Sequence, residues 1–258
     1  MSILGPLQAA TDDESLPITG RSERVVLSAL AAYSREGVSV HCLMDALWGA
    51  GPPKSGTKVL QNVVLRLRKS LGAEIIETRP GGYAVRAIVD SIEFEHLVHD
   101  GRALAIDGDW HAASSALCAA VDIWRGPPLP ELCEWPLGRH EAARLDELGR
   151  LVREEHAETE LMCGRHHEVV PDLEAMVSDE PLRERRWALL MLALHRSGRQ
   201  AEALRAFQRA RYAFQEVGLE LGPDIVELDR AIGSRAVALR ADGGWLAGHH
   251  RFAQSVGG

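Results

Sequence analysis

The stretch Thr57–Val85, TKVLQNVVLRLRKSLGAEIIETRPGGYAV, opens with helical periodicity, turns basic near its centre and ends as a short ribbon. At about 100° per residue, Val59, Leu60, Val63, Val64, Leu67 and Leu71 fall on one side of a helix. That apolar stripe fixes the opposite face, where Lys58, Gln61, Asn62, Arg68 and Lys69 point outward, with Arg66 near the border and Leu65 among the charges. Leu71-Gly72 closes the helix. AEIIETR and YAVRA then read as two strands hinged at Pro80-Gly81-Gly82, a strong hairpin signal.

Toward the N-terminus, AGPPKSG is a loop, and Ser39 is positioned to cap a helix VHCLMDALWG that stops at Gly49. Before it, Val25, Val26, Leu27, Leu30 and Ala31 mark one face of a helix that starts at Gly20 and ends near Gly37. The first 20 residues suggest two short strands, ILGPLQ and SLPIT, separated by the polar turn ATDDE. Strands, three helices and a Gly-tipped hairpin in that order make a winged helix. Tyr83 is expected to anchor the wing from the core, and Trp48 to pack at the end of the second helix.

Toward the C-terminus, residues 91–235 read as successive amphipathic helices broken by Gly and Pro. LMCGRHHEVVPDLEAMV and LHRSGRQAEALRAFQRA both place Gly-Arg between an apolar helix end and a new helix. Gly164 and Gly198 are 34 residues apart, the period of tetratricopeptide helix pairs. IDGDWHAASSALCAAV carries Gly108 in the same role. The expectation is a curved stack of helix pairs, with an irregular bundle as the alternative. The glycine-rich tail 236–258 has weak periodicity and reads as a loose end or linker.

Charge divides the chain in the same place. Formal net charge is −8, yet seven Lys/Arg against two Asp/Glu lie in residues 53–86, including all three lysines, Lys54, Lys58 and Lys69. Residues 1–88 hold ten Lys/Arg and eight Asp/Glu, whereas residues 89–258 hold nineteen and twenty-nine. A basic module suited to a polyanion is thus joined to an acidic module with another task. Arg and Lys on the third helix would neutralise phosphates, and Gln61 and Asn62 have the geometry to pair with adenine edges in a major groove. Arg79 at the slim hairpin tip would meet the backbone or an adjacent minor groove. A basic helix face is also, quite commonly, only a solvated surface.

No apolar run reaches bilayer-spanning length, and the N-terminus lacks a basic leader, so no membrane partner and a cytoplasmic location are expected. Cys42, Cys118, Cys133 and Cys163 are widely spaced and read as reduced thiols. His166-His167 and His249-His250 are adjacent pairs whose side chains diverge on a helix, so no metal is expected. The run Glu154, Glu155, Glu158, Glu160 reads most simply as a solvated helix face. Phosphate-loop, serine-hydrolase and zinc-protease signatures are missing from the sequence, so neither enzyme activity nor a cofactor is expected.

Residues 24–85, RVVLSALAAYSREGVSVHCLMDALWGAGPPKSGTKVLQNVVLRLRKSLGAEIIETRPGGYAV, resemble the OmpR-type winged helix that opens members of the Streptomyces antibiotic regulatory protein family. DIWRGPPLPEL, HEAARLDELGRLVREEHAETEL, EPLRERRWALLMLALHRSGRQAEALRAFQRARYAFQEVGLELGP and LDRAI resemble that family's bacterial transcriptional activation domain. The resemblance covers roughly residues 1–235. It implies a mainly α fold with small β elements: a winged-helix DNA-binding domain at 1–88, a tetratricopeptide-like activation domain at 89–235, and the tail at 236–258.

The resemblance further implies an activator that binds direct repeats of double-stranded promoter DNA, often as two copies, and recruits RNA polymerase holoenzyme to secondary-metabolite genes. By position, Thr57, Lys58, Gln61, Asn62, Arg66, Arg68 and Lys69 would face DNA, with Arg79 on the wing. The loop Gly49, Ala50, Gly51, Pro52, Pro53, Lys54, Ser55, Gly56 would touch polymerase. Leu65 departs from the small polar residue usual there. Three readings of it are open: a contact to thymine methyl groups, an exposed leucine without a role, or a substitution that weakens DNA binding. The competing functional classes are a helical-repeat interaction protein whose winged helix does not bind DNA, and a regulator that senses a small ligand.

Overall fold

The computed structural model describes residues 1–10 and 15–234. Strand β1 (Ala9–Ala10) pairs antiparallel with β2 (Ser15–Leu16). Helix α1 (Arg21–Ala32) is followed by β3 (Val38–Ser39), α2 (Val40–Trp48), α3 (Gly56–Leu71), β4 (Ile76–Arg79) and β5 (Gly82–Val85). The remaining elements are α4 (Asp90–Ile106), α5 (Trp110–Asp122), a 3-10 turn at Pro130–Leu132, α6 (Pro136–Met162), α7 (Val170–Asp179), α8 (Glu184–Arg196), α9 (Gln200–Glu216) and α10 (Pro223–Gly233). Two compact units emerge. One comprises residues 1–97 and 119–150, the other 98–118 and 151 onward, so the divisions fall inside α4, α5 and α6.

In the first unit, α1, α2 and α3 bury Val26, Leu27, Leu30, Leu43, Leu60, Val63, Val64 and Leu67. The Ser39 hydroxyl accepts a hydrogen bond from the Cys42 amide and so caps α2. Gly49 ends α2 at φ +58°, its amide donating to the Asp45 carbonyl. The sheet has the order β3-β5-β4, all antiparallel, with Val38 opposite Tyr83 and Thr78 opposite Tyr83 on the other side. Three helices with a β4–β5 hairpin and a third short strand form a winged helix.

Two local features differ from the reading of the sequence. Residues 3–8 make no strand; Gly5-Pro6 bends the chain, leaving only a bridge between Ser2 and Gln8. The first helix stops at Ala32 because Tyr33 leaves helical geometry, and Gly37 at φ +80° then turns the chain into β3. The amides of Ile3 and Leu4 donate to the buried Asp90 carboxylate, and the Leu7 amide to Glu131. Glu131 also pairs with Arg24, so the N-terminal segment, α1 and the 3-10 turn share one carboxylate.

The second unit repeats one backbone device. Gly108, Gly164, Gly198 and Gly218 all have φ between +75° and +81°. In each case the following amide (Asp109, Arg165, Arg199, Leu219) donates to a carbonyl five residues back (Leu104, Glu160, Leu194, Phe214). This is the Schellman end, which satisfies the last carbonyls of a helix and needs a left-handed residue. The recurrence gives the helix pairs α4/α5, α6/α7 and α8/α9 the same turn, as expected for tetratricopeptide-like repeats, and Gly218 repeats it between α9 and α10. Helix α8 is central; every residue from Arg186 to His195 is buried.

The acidic run on α6 is not a solvated face. Glu154 and Glu158 are only 2% and 1% exposed. Their i,i+4 spacing puts both on one side of α6, where Glu154 accepts from Arg183 at 2.8 Å and Arg186 at 2.9 Å, and Glu158 pairs with Arg185. Buried carboxylates are tolerable only with such partners. The arginines of RERRW supply them.

Candidate nucleic-acid interface

Helix α3 is rigid on one side and open on the other. Leu60, Val63, Val64 and Leu67 lock it to α1 and α2, whereas Thr57, Lys58, Gln61, Asn62, Leu65, Arg66 and Lys69 are exposed. Two stripe residues sit less deeply than their periodicity predicts: Val59 is 37% exposed and Leu71 half-buried. Val59 lies at the margin of the stripe, whereas Leu71 lies within it but is the last residue of the helix.

The exposed cations divide into two groups. Arg66, on one flank, donates through Nε to Glu23 of α1 at 2.5 Å. Arg68, on the other flank and half-buried, donates through Nε and Nη2 to the Ile76 carbonyl at 3.0 and 2.8 Å, and through Nη2 to Thr78 Oγ1 at 2.7 Å. Its guanidinium fork therefore ties α3 to β4. Arg79 donates to the Glu36 carbonyl at 3.1 Å and lies 3.5 Å from Glu77, which brings the wing against the turn after α1. Hydrogen bonding from Arg86 holds the Glu77 carboxyl below the usual carboxylate range. By contrast, Lys54, Lys58 and Lys69 form no ion pair among the described residues.

The centre of the open face is thus Lys58, Asn62, Leu65 and Lys69, successive at i, i+4, i+7 and i+11, with Gln61 beside them. Thr57, at the start of the helix, directs its hydroxyl toward Met44 Sδ at 3.7 Å. Two cations and two amides on one helix face match the phosphates and base edges of a major groove in width and chemistry. The positioning roles of Arg68, Arg79 and Glu23 were missed from sequence. No local pattern signals them: Arg68 reaches partners eight and ten residues on, and Arg79 and Glu23 each meet a partner 43 residues away.

Between α2 and α3, Gly49 to Ser55 are exposed and Pro52-Pro53 stiffens the loop. Gly56 is buried; a Cβ there would stand 2.9 Å from Met44 Cε. Thr19, Arg21, Val25, Leu47, Trp48 and Trp135 are among the residues lining a cleft of about 530 Å³ in the same unit. Among the described residues no group of three His, Cys, Asp or Glu side chains is arranged to hold a metal ion, and no helix is long and apolar enough to cross a membrane. His249-His250 and the tail lie outside the described residues.

A winged helix with an open basic face, joined to tetratricopeptide-like helix pairs, defines a transcriptional regulator. Residues 89–233 match the bacterial transcriptional activator domain. The chain is 36% identical over 259 residues to the regulatory protein DnrI of Streptomyces peucetius, covering 95% of this chain and 93% of that protein. It is 34% identical to the regulatory protein AfsR of Streptomyces coelicolor over 89% of this chain but only 24% of the larger protein. Among solved structures, Mycobacterium tuberculosis EmbR in complex with a low-affinity phosphopeptide aligns with a TM-score of 0.89 at 29% identity, covering 99% of this chain and 69% of that one. The chain belongs to the Streptomyces antibiotic regulatory protein family of transcriptional regulators.

Proposed function

We propose that the chain activates transcription by binding promoter DNA through α3, with residues 1–88 as the DNA-binding domain and 89–235 as the activation domain. The observation that carries this reading is the exposed row Lys58, Asn62 and Lys69 on a helix whose opposite face is locked in the core. In the major groove the lysines neutralise phosphates and the amides meet base edges, while the β4–β5 hairpin lies along the backbone. Two copies occupy direct repeats upstream of a promoter. The loop Gly49–Gly56 then faces RNA polymerase holoenzyme, and the genes controlled are those of an antibiotic or related secondary-metabolite pathway. Such a protein works in the cytoplasm, at the nucleoid.

The test is binding to duplexes selected from a random-sequence library, titrated across salt concentrations. Lys58→Ala and Lys69→Ala are each expected to weaken binding and to reduce the slope of log K against log salt by about 1. Footprints on the selected site should show two adjacent repeats. Slopes that stay unchanged in both variants would reject the assigned face. Failure to bind any duplex at low salt would favour the interaction protein whose winged helix leaves DNA untouched.

A further inference from the structure

The open face of α3 has an apolar centre. Leu65 is 65% exposed, in the middle of a helix whose other leucines at 60 and 67 are 1% exposed. The arginines on either side of it around the helix are drawn aside, Arg66 to Glu23 and Arg68 to Ile76 and Thr78. Its neighbours on the face are therefore Asn62 at i−3, Gln61 at i−4 and Lys69 at i+4, all exposed.

We infer that Leu65 is a specificity-determining residue that reads the C5-methyl group of a thymine in the major groove, beside an adenine read by Asn62 or Gln61. This rests on α3 being the DNA-reading helix. The thymine methyl is the one apolar group that the four standard base pairs present in that groove. Against a guanine or cytosine edge, Leu65 would displace water from polar atoms and return no hydrogen bond. Against a methyl group it removes apolar surface from water on both sides. Residues three or four apart on a helix are about 5–6 Å apart at Cβ, and base pairs step by about 3.4 Å. The leucine and the amide consequently reach base pairs one or two steps apart. Asn or Gln on adenine and Leu on thymine together select an A·T-containing step.

The methyl group can be removed without altering the Watson–Crick edge, by replacing single thymines with deoxyuridine. The probe is the duplex that the full chain selects from a random library, synthesised with each thymine replaced in turn. At one or two positions the wild-type chain should bind about fourfold more weakly without the methyl, the factor expected for one buried methyl-sized group. Leu65→Ser, which should melt with the wild type because the side chain is exposed, should be indifferent to the same replacement. Wild-type affinity that ignores every replacement overturns the inference, and that arm needs no variant to fold. Leu65→Ser retaining the full methyl dependence overturns it too. In both cases salt-dependent duplex binding leaves the DNA-binding reading standing; absence of any duplex binding removes both.

Discussion

Gly81 and Gly82 are adjacent at the wing, but the structure needs them for different reasons, and alanine at each separates the two. Gly81 has φ +75° and open space around its Cα. Alanine there incurs only the left-handed strain of about 1–2 kcal/mol. Gly82 lies in β5 opposite Ser39 of β3 and Arg79 of β4. A Cβ at Gly82 would overlap the Val38 carbonyl oxygen and stand 2.9 Å from both the Val38 carbonyl carbon and Ser39 Cα. These are backbone atoms, so no rotamer change relieves them. Only displacement of β3 would, and β3 leads directly into the cap of α2.

Overpacking against unyielding atoms costs about 1–3 kcal/mol, and weakening two ladder hydrogen bonds adds about 0.5–1.5 kcal/mol each. Gly82→Ala should therefore lose roughly 3–5 kcal/mol, against about 1–2 kcal/mol for Gly81→Ala. Urea unfolding of both variants, followed by tryptophan fluorescence, gives the comparison. Amide exchange at Val40 localises it, since that N–H donates to the Gly81 carbonyl at 2.9 Å. If Gly82→Ala is no more destabilising than Gly81→Ala, the close approach of β3 to β5 is not what places glycine there, and the steric reasoning fails.

The remaining predictions concern the two units separately. Arg68→Ala removes three hydrogen bonds between α3 and β4 and should destabilise the winged helix by about 1–2 kcal/mol, the charged-bond range discounted for partial exposure. Its salt slope for DNA should stay within a few tenths of wild type, whereas a drop near 1, as for Lys69→Ala, would make Arg68 a phosphate contact instead. In the second unit, burial raises the Glu155 carboxyl above its ordinary range despite hydrogen bonding from Arg102 at 2.9 Å. A folded-state value above the unfolded one means the folded chain holds the proton more tightly. That contribution is full at pH below the ordinary glutamate range and is lost as pH rises through the raised value. Glu155→Gln should flatten this decline in urea midpoints measured from about pH 4 to 7; an unchanged slope would show that another group is responsible.

The winged helix was legible because its signals are local. The stripe Leu60, Val63, Val64, Leu67 and the Pro-Gly-Gly hinge each depend on residues within one or two turns, and the repeat turns announce themselves through glycines that must be left-handed. What escaped was long-range. Strand β3 is two residues long, and one of them, Ser39, already had a local explanation as a cap. Glu154 and Glu158 looked like a solvated face because their arginines lie about thirty residues away in sequence, on and just before α8, and no periodicity on α6 reveals them.

The same limit applies to the charge on α3, with a functional consequence. Counting cations makes Arg66, Arg68 and Arg79 equal to Lys58 and Lys69. The structure makes them unequal, because each arginine already donates to Glu23, to Ile76 and Thr78, or to Glu36. An arginine fork held in place loses less freedom on meeting a ligand, but it also has fewer donors to offer. Lysines that form no ion pair among the described residues keep all theirs. Under the proposed reading, then, the lysines set how tightly the face holds any DNA, and the arginines fix the angle at which helix and wing meet it. Sequence choice is left to Gln61, Asn62 and Leu65. The basic cluster supplies affinity, while discrimination falls to the uncharged residues standing inside it.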